Sequence, residues 1–130
     1  MTGMENALRQ MDFDFFGRAL HKTSAKAFLD EPDAVLLDLR SRQERGVLPV
    51  SLHWLTTLHI PLHELPDRLD EIPKDRPVGA FCSSDSRSAI AMAYLRACGY
   101  DQVRIVAGGY QGLVQELMPG KVFHRHLSEG

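Results

Sequence analysis

Cys82 closes the apolar run "PVGAF" and is followed by Ser83, Ser84, Asp85, Ser86, Arg87 and Ser88. After these the chain turns to Ala, Ile, Met and Leu. A thiol of ordinary pKa, ~8.5, is a nucleophile only as thiolate, so a working cysteine needs cations or oriented dipoles beside it. This order of residues offers both. Small residues let a loop curl back so that successive backbone N–H groups converge on the sulfur as an anion-binding nest. A helix starting near Arg87 adds unpaired N–H groups and about half a positive charge, and Arg87 itself adds a guanidinium at the rim. The plain alternative is a buried small hydrophobe at a strand end, since free cysteine is among the most buried residue types. Apolar packing, however, calls for no such run of serines with an Asp and an Arg.

The remaining chemistry-bearing residues read differently. Cys98, in "RACG" at the end of the following helix, reads as a core cysteine. Asp38 and Arg40 close the run "AVLLDLR" and offer a carboxylate and an anion binder. Their structural reading has Asp38 bracing loops at the edge of a sheet and Arg40 paired with Glu44. The histidines of "HWLTTLH" and "HRH" have no accompanying Cys or carboxylate at metal-ligand spacing, so no metal and no cofactor is expected. Gly108 and Gly109 suit a tight strand-to-helix turn. Trp54, Leu55 and Leu58 fit a pocket mouth, a docking patch or the core equally well.

Elements must place these side chains. The first dozen residues are polar and unpatterned, a tail or a poorly fixed helix, and residues 1–14 are set apart as an extension preceding one domain over 15–130. "FFGRALH" suits a short edge strand. "TSAKAFLDEPD" reads as a helix capped by Thr23 or Ser24 and stopped by Pro32. "AVLLDLR" is a nearly continuous apolar run, as in a strand buried on both faces of a parallel sheet. "SRQERG" suggests a short helix stopped by Gly46, and Val47–His59 resists assignment. "LHELPDRLDEIPKDRP" reads as a helix kinked at Pro66. "PVGAFC" is a strand, "RSAIAMAYLRACG" a helix closed by Gly99, "DQVRIVAGG" a strand and "YQGLVQELMPG" a last helix ended by Pro119 and Gly120. Strand and helix alternate in crossover-sized units, so the class is α/β with a mostly parallel sheet. In such sheets sites lie beyond the carboxyl ends of the strands, and Cys82 sits at one of those ends.

The whole chain excludes several alternatives. Its 130 residues suit one domain, and 44% hydrophobic with 25% charged residues is the composition of an ordinary globular protein. A net charge of −2 offers no basic field for nucleic acid or an anionic membrane. No apolar run approaches the ~20 residues that span a bilayer, and the N-terminus mixes Glu, Arg and Asp where a leader needs an apolar stretch. Two cysteines make no disulfide framework. These features lead us to expect a cytoplasmic protein.

Three segments together resemble the single-domain rhodanese-like sulfurtransferases, over roughly Thr23 to Leu117. "AVLLDLR" is similar to that family's strand ending in Asp-x-Arg, "CSSDSRS" to its active-site loop, and "VRIVAGGYQGL" to its strand, Gly pair and closing helix. The resemblance implies a five-stranded, mostly parallel sheet flanked by helices on both faces, with Cys82 as sulfur-carrying nucleophile and Ser83 to Ser88 around it. It implies sulfur transfer from a small donor (thiosulfate, polysulfide or a low-molecular-weight persulfide) or a protein persulfide to a thiol, carrier protein or cyanide. Four residues separate Cys82 from Arg87. The related phosphatases and arsenate reductases carry five, so loop length favours sulfur over phosphate. Family members with strong thiosulfate activity usually carry a basic residue after the Cys and a Gly two positions later. Here Ser83 and Asp85 stand there. A carboxylate within a few ångströms opposes a thiolate and an anionic donor by ~1 kcal/mol or more. A persulfide or polysulfide is therefore the expected donor, ahead of thiosulfate. A low-turnover sulfur carrier or interaction module is the second reading.

Overall fold

The computed structural model describes residues 2–118. Five strands, β1 (Lys22–Thr23), β2 (Val35–Asp38), β3 (Thr56–His59), β4 (Val78–Phe81) and β5 (Val103–Val106), form one sheet in the order β1-β5-β4-β2-β3. Every pairing is parallel. All four residues of β2 and all four of β4 are buried, which is why their sequences run apolar without alternation. The chain steps outward from β2 to β3, then returns to place β4 on the other side of β2. Asp38 and Phe81 are register partners, so the carboxyl ends of β2 and β4 lie side by side.

The described residues form six α-helices: α1 (Gly3–Gln10), α2 (Phe13–Gly17), α3 (Ala25–Leu29), α4 (Arg42–Val47), α5 (Asp85–Ala97) and α6 (Gly109–Glu116). Val35, Leu37, Val78, Ala80, Val103 and Ile105 pack under Ala91, Met92 and Leu95 of α5. Leu36, Phe81 and Val106 pack on the opposite face with Phe28 and Leu29 of α3 and Leu113 of α6. Gly79 is needed within β4, because a Cβ there would sit 2.6 Å from Val106 Cγ2 and press on the Phe28 ring. No helix among the described residues is long and apolar enough to cross a membrane.

Four segments differ from the sequence expectations. Residues 2–11 form no loose tail: Thr2 caps α1, Ala7 is buried, and Gly3 abuts the carbonyl of Ala97 at the end of α5. "FFGRALH" is not a strand. Asp12 accepts the N–H of Phe15 and starts α2, Ala19 turns the chain at φ 53°, and the edge strand follows as Lys22–Thr23. "LHELPDRLDEIP" forms two 3₁₀ turns, Leu62–Asp67 and Leu69–Glu71, since Pro66 has no N–H for an α-helical ladder. Gly46 does not stop α4, which runs on to Val47. The expected terminators Pro119 and Gly120 lie outside the described residues.

Candidate active site

Cys82 is the first residue after β4 and is fully buried. The following helix begins earlier than the sequence suggests. Ser84 is its N-cap, with extended backbone and no side-chain cap, and Asp85 is its first residue. What reads as a six-residue loop is therefore two residues, Ser83 and Ser84, followed by the first turn of α5. This brings the uncapped, electropositive helix end close to the thiol. Sγ meets the carbonyl of Ser84 and lies 3.5 Å from Oγ of Ser88. Ser88 is itself buried, and its hydroxyl donates to the carbonyl of Asp85 at 3.1 Å.

Ser86 is exposed, while Ser83, Asp85 and Arg87 are held from other elements. Arg87 does not project freely. Its Nη1 and Nη2 donate to Oε1 and Oε2 of Glu44 at 2.6 and 2.8 Å, and Nη2 also reaches Oγ of Ser83 at 3.3 Å. Ser83 Oγ donates to the same carboxylate at 2.5 Å. Hydrogen bonds from Arg87, Ser83 and the Ser41 backbone hold the Glu44 carboxyl far below the usual carboxylate range. Glu44 in return raises the affinity of Arg87 for its proton, with smaller help from Cys82 and Asp38. Asp85 faces α6, where Oδ2 lies 3.5 Å from the N–H of Gly108.

Asp38 and Arg40 are structural neighbours of this centre, and the expected Arg40–Glu44 pair is corrected. Arg40 donates through Nε and Nη2 to Asp38, at 2.9 Å each, while both residues are essentially buried. The backbone N–H of Arg40 also reaches Asp38, and Nη1 donates to the carbonyl of Leu48 at 2.7 Å. The guanidinium lies 5.1 Å from the Phe81 ring centre and 5.3 Å from that of Tyr110. Burial this deep is tolerable because the pair satisfies itself at short range and Nη1 finds a carbonyl. Glu44 is then left for Arg87, and in the same position it completes a capping box with Ser41.

Two site residues escaped the sequence reading. Ser41-x-x-Glu44 is a legible capping signature, but nothing local ties Glu44 to an arginine 43 residues away. Gly109 reads as a turn glycine, and it also has φ 56°. A Cβ on Gly109 would lie 2.5 Å from the carbonyl oxygen of Ser83 and 2.8 Å from that of Cys82. The glycine pair thus lets α6 press directly on the backbone of the cysteine loop. Cys98 is half-buried at the C-cap of α5 and hydrogen-bonds Tyr94, away from this centre. Leu58 and Leu55 pack against the two sides of the core, whereas Trp54 is 37% exposed beside His53.

The profile of the rhodanese-like domain matches residues 21–116. A sulfurtransferase of Allochromatium vinosum is 40% identical over 82 residues, covering 62% of this chain and 71% of that protein. A tRNA sulfurtransferase of Aeromonas salmonicida is 32% identical over 73 residues, covering 56% of this chain but only 15% of that protein. Among solved structures, a rhodanese-related protein from Thermoplasma volcanium superposes with a TM-score of 0.63 at 24% identity, covering 76% of this chain and 95% of that one.

Proposed function

The chain belongs to the rhodanese-like family, a family of sulfurtransferases, and we propose that it moves sulfane sulfur through a persulfide on Cys82. The observation that carries this reading is the placement of Cys82 at the end of β4, directly against the uncapped N-terminus of α5. The Cys82 thiolate attacks the sulfane sulfur of a donor R–S–SH. The donor S–S bond breaks, R–S⁻ leaves with the electron pair, and a new S–S bond forms on Cys82. An acceptor thiolate, or cyanide in an assay, then attacks the outer sulfur and releases Cys82 as thiolate. Sulfur is neither gained nor lost overall, and the two half-reactions give ping-pong kinetics.

Ser84 and Ser88 line the sulfur, and Ser83, Asp85, Ser86 and Arg87 form the wall the donor meets. Arg40 is engaged by Asp38, Arg87 by Glu44, and Arg45 lies 3.9 Å from the same Asp38 carboxylate. Asp85 adds a further negative charge in the first turn of α5. A dianion such as thiosulfate therefore finds these cations already facing carboxylates among the described residues, and a persulfide or polysulfide is the better donor. Side-by-side assay of thiosulfate, polysulfide and glutathione persulfide with cyanide as acceptor tests this order. A clear win for thiosulfate overturns it.

The complete burial of Cys82 favours a second reading, a carrier loaded and unloaded only by a partner protein. Stable loading with negligible turnover to thiocyanate distinguishes it.

A further inference from the structure

A cavity of about 330 Å³ opens at the opposite end of the sheet from Cys82, within the range of small-ligand pockets, ~300–1,000 Å³. It exists because β1 is too short. β1 pairs only with Ile105 and Val106, so the first half of β5 has β4 on one side and no strand on the other. Arg96 of α5 takes that place, its Nη2 donating to the carbonyls of Leu20 at 3.1 Å and Val103 at 2.9 Å. Its Nε–H is buried with no hydrogen-bond acceptor among the described residues, and the guanidinium lies 5.1 Å from the Phe15 ring centre. A buried donor without a partner is costly and uncommon.

Leu20, Phe28, Pro77 and Val78 supply the apolar wall of the cavity. Arg96 and Arg104 supply two guanidinium groups, close enough that burial and Arg104 together lower the proton affinity of Arg96. Glu31 and Asp101 also line it, and Asp101 partly offsets that effect on Arg96. Arg104 forms no ion pair among the described residues. We infer that this cavity is a second binding site, for a small monocarboxylate with an apolar body, held by Arg96 and Arg104. The carboxylate sits between the Arg96 and Arg104 guanidinium groups and separates the two like charges, while the body covers the apolar wall. Glu31 and Asp101 select against a second negative charge.

Titrating the full chain with pentanoate, followed by amide and arginine Nε–H resonances, tests the site. Saturable shifts at Gln102, Arg104 and the Arg96 Nε–H are expected, with a Kd on the order of 10 mM or tighter. Arg104→Gln, at an exposed position, weakens binding about fivefold, as loss of one charge contact of ~1 kcal/mol requires. Glu31→Gln tightens it. Pentylamine, with the same body and the opposite charge, and the dianion glutarate bind more weakly, and Cys82→Ser leaves pentanoate binding unchanged. The absence of saturable shifts, equal binding by Arg104→Gln, or equal binding of pentylamine overturns the inference.

Discussion

Glu44 and Arg87 grip each other through two parallel hydrogen bonds of 2.6 and 2.8 Å, joining the helix after β2 to the first turn of the helix after Cys82. On the proposed sulfur-transfer reading, the pair occupies the guanidinium that would otherwise face an incoming donor. Both side chains are about one-third exposed, 31% for Arg87 and 34% for Glu44, so the geometry matters more for what it does to charge than for stability.

Glu44→Gln tests that role, because glutamine at this position still serves the capping box with Ser41. The substitution frees Arg87 at the rim. Thiosulfate turnover is expected to rise relative to persulfide turnover by about three- to tenfold, the effect of ~1 kcal/mol of restored charge attraction. Stability falls by no more than ~1 kcal/mol, as for other partly exposed pairs. Steady-state kcat/KM for the two donors, measured on both proteins, checks the ratio.

The same pair sets a pH dependence with a defined sign. The folded Glu44 carboxyl is held far below its ordinary value. Its contribution is therefore complete above the unfolded pKa of ~4.3 and is lost as pH falls toward the folded one. The stability gap between the native chain and Glu44→Gln is expected to be constant above about pH 5.5 and to narrow below about pH 4. Urea midpoints across that range measure it.

Gly109→Ala is expected to damage the centre from outside it. The new methyl would meet the carbonyl oxygens of Ser83 and Cys82 at 2.5 and 2.8 Å, at a φ of 56° that alanine disfavours. A loss of ~1–3 kcal/mol and a marked fall in kcat are expected together. Denaturation and turnover of the variant measured in parallel check the coupling.

Asp38→Asn leaves a buried guanidinium without its carboxylate, since Arg40 and Asp38 are 1% and 0% exposed. Removing one partner of such a pair costs ~3–5 kcal/mol, a large share of a total of ~5–15. The urea midpoint should fall accordingly with an unchanged slope.

Much of this was written in local signals. The four-residue cores of β2 and β4 were legible because strands covered on both faces need unbroken apolar runs, and β5 showed the same apolar character broken only at the exposed Arg104. Cys82 stood out because the polar residues after it had no packing reason. What escaped was set by contacts between distant segments. Arg40 lies four residues before Glu44, which made that pair the natural guess, yet burial beside Phe81 drew Arg40 to Asp38 instead. The first residues read as a tail or a poorly fixed helix because their few apolar side chains find a partner only once α5 is in place. The 3₁₀ turns at Leu62–Asp67 look helical in composition, and only the missing N–H of Pro66 signals otherwise.

Whether Cys82 holds sulfur decides the proposed function. Intact-mass analysis of the chain after treatment with glutathione persulfide or polysulfide asks this directly. An added mass of one sulfur atom, about 32 Da, that disappears on addition of cyanide and is absent from Cys82→Ser is expected. An unchanged mass with every donor, or the same adduct surviving in Cys82→Ser, would contradict it.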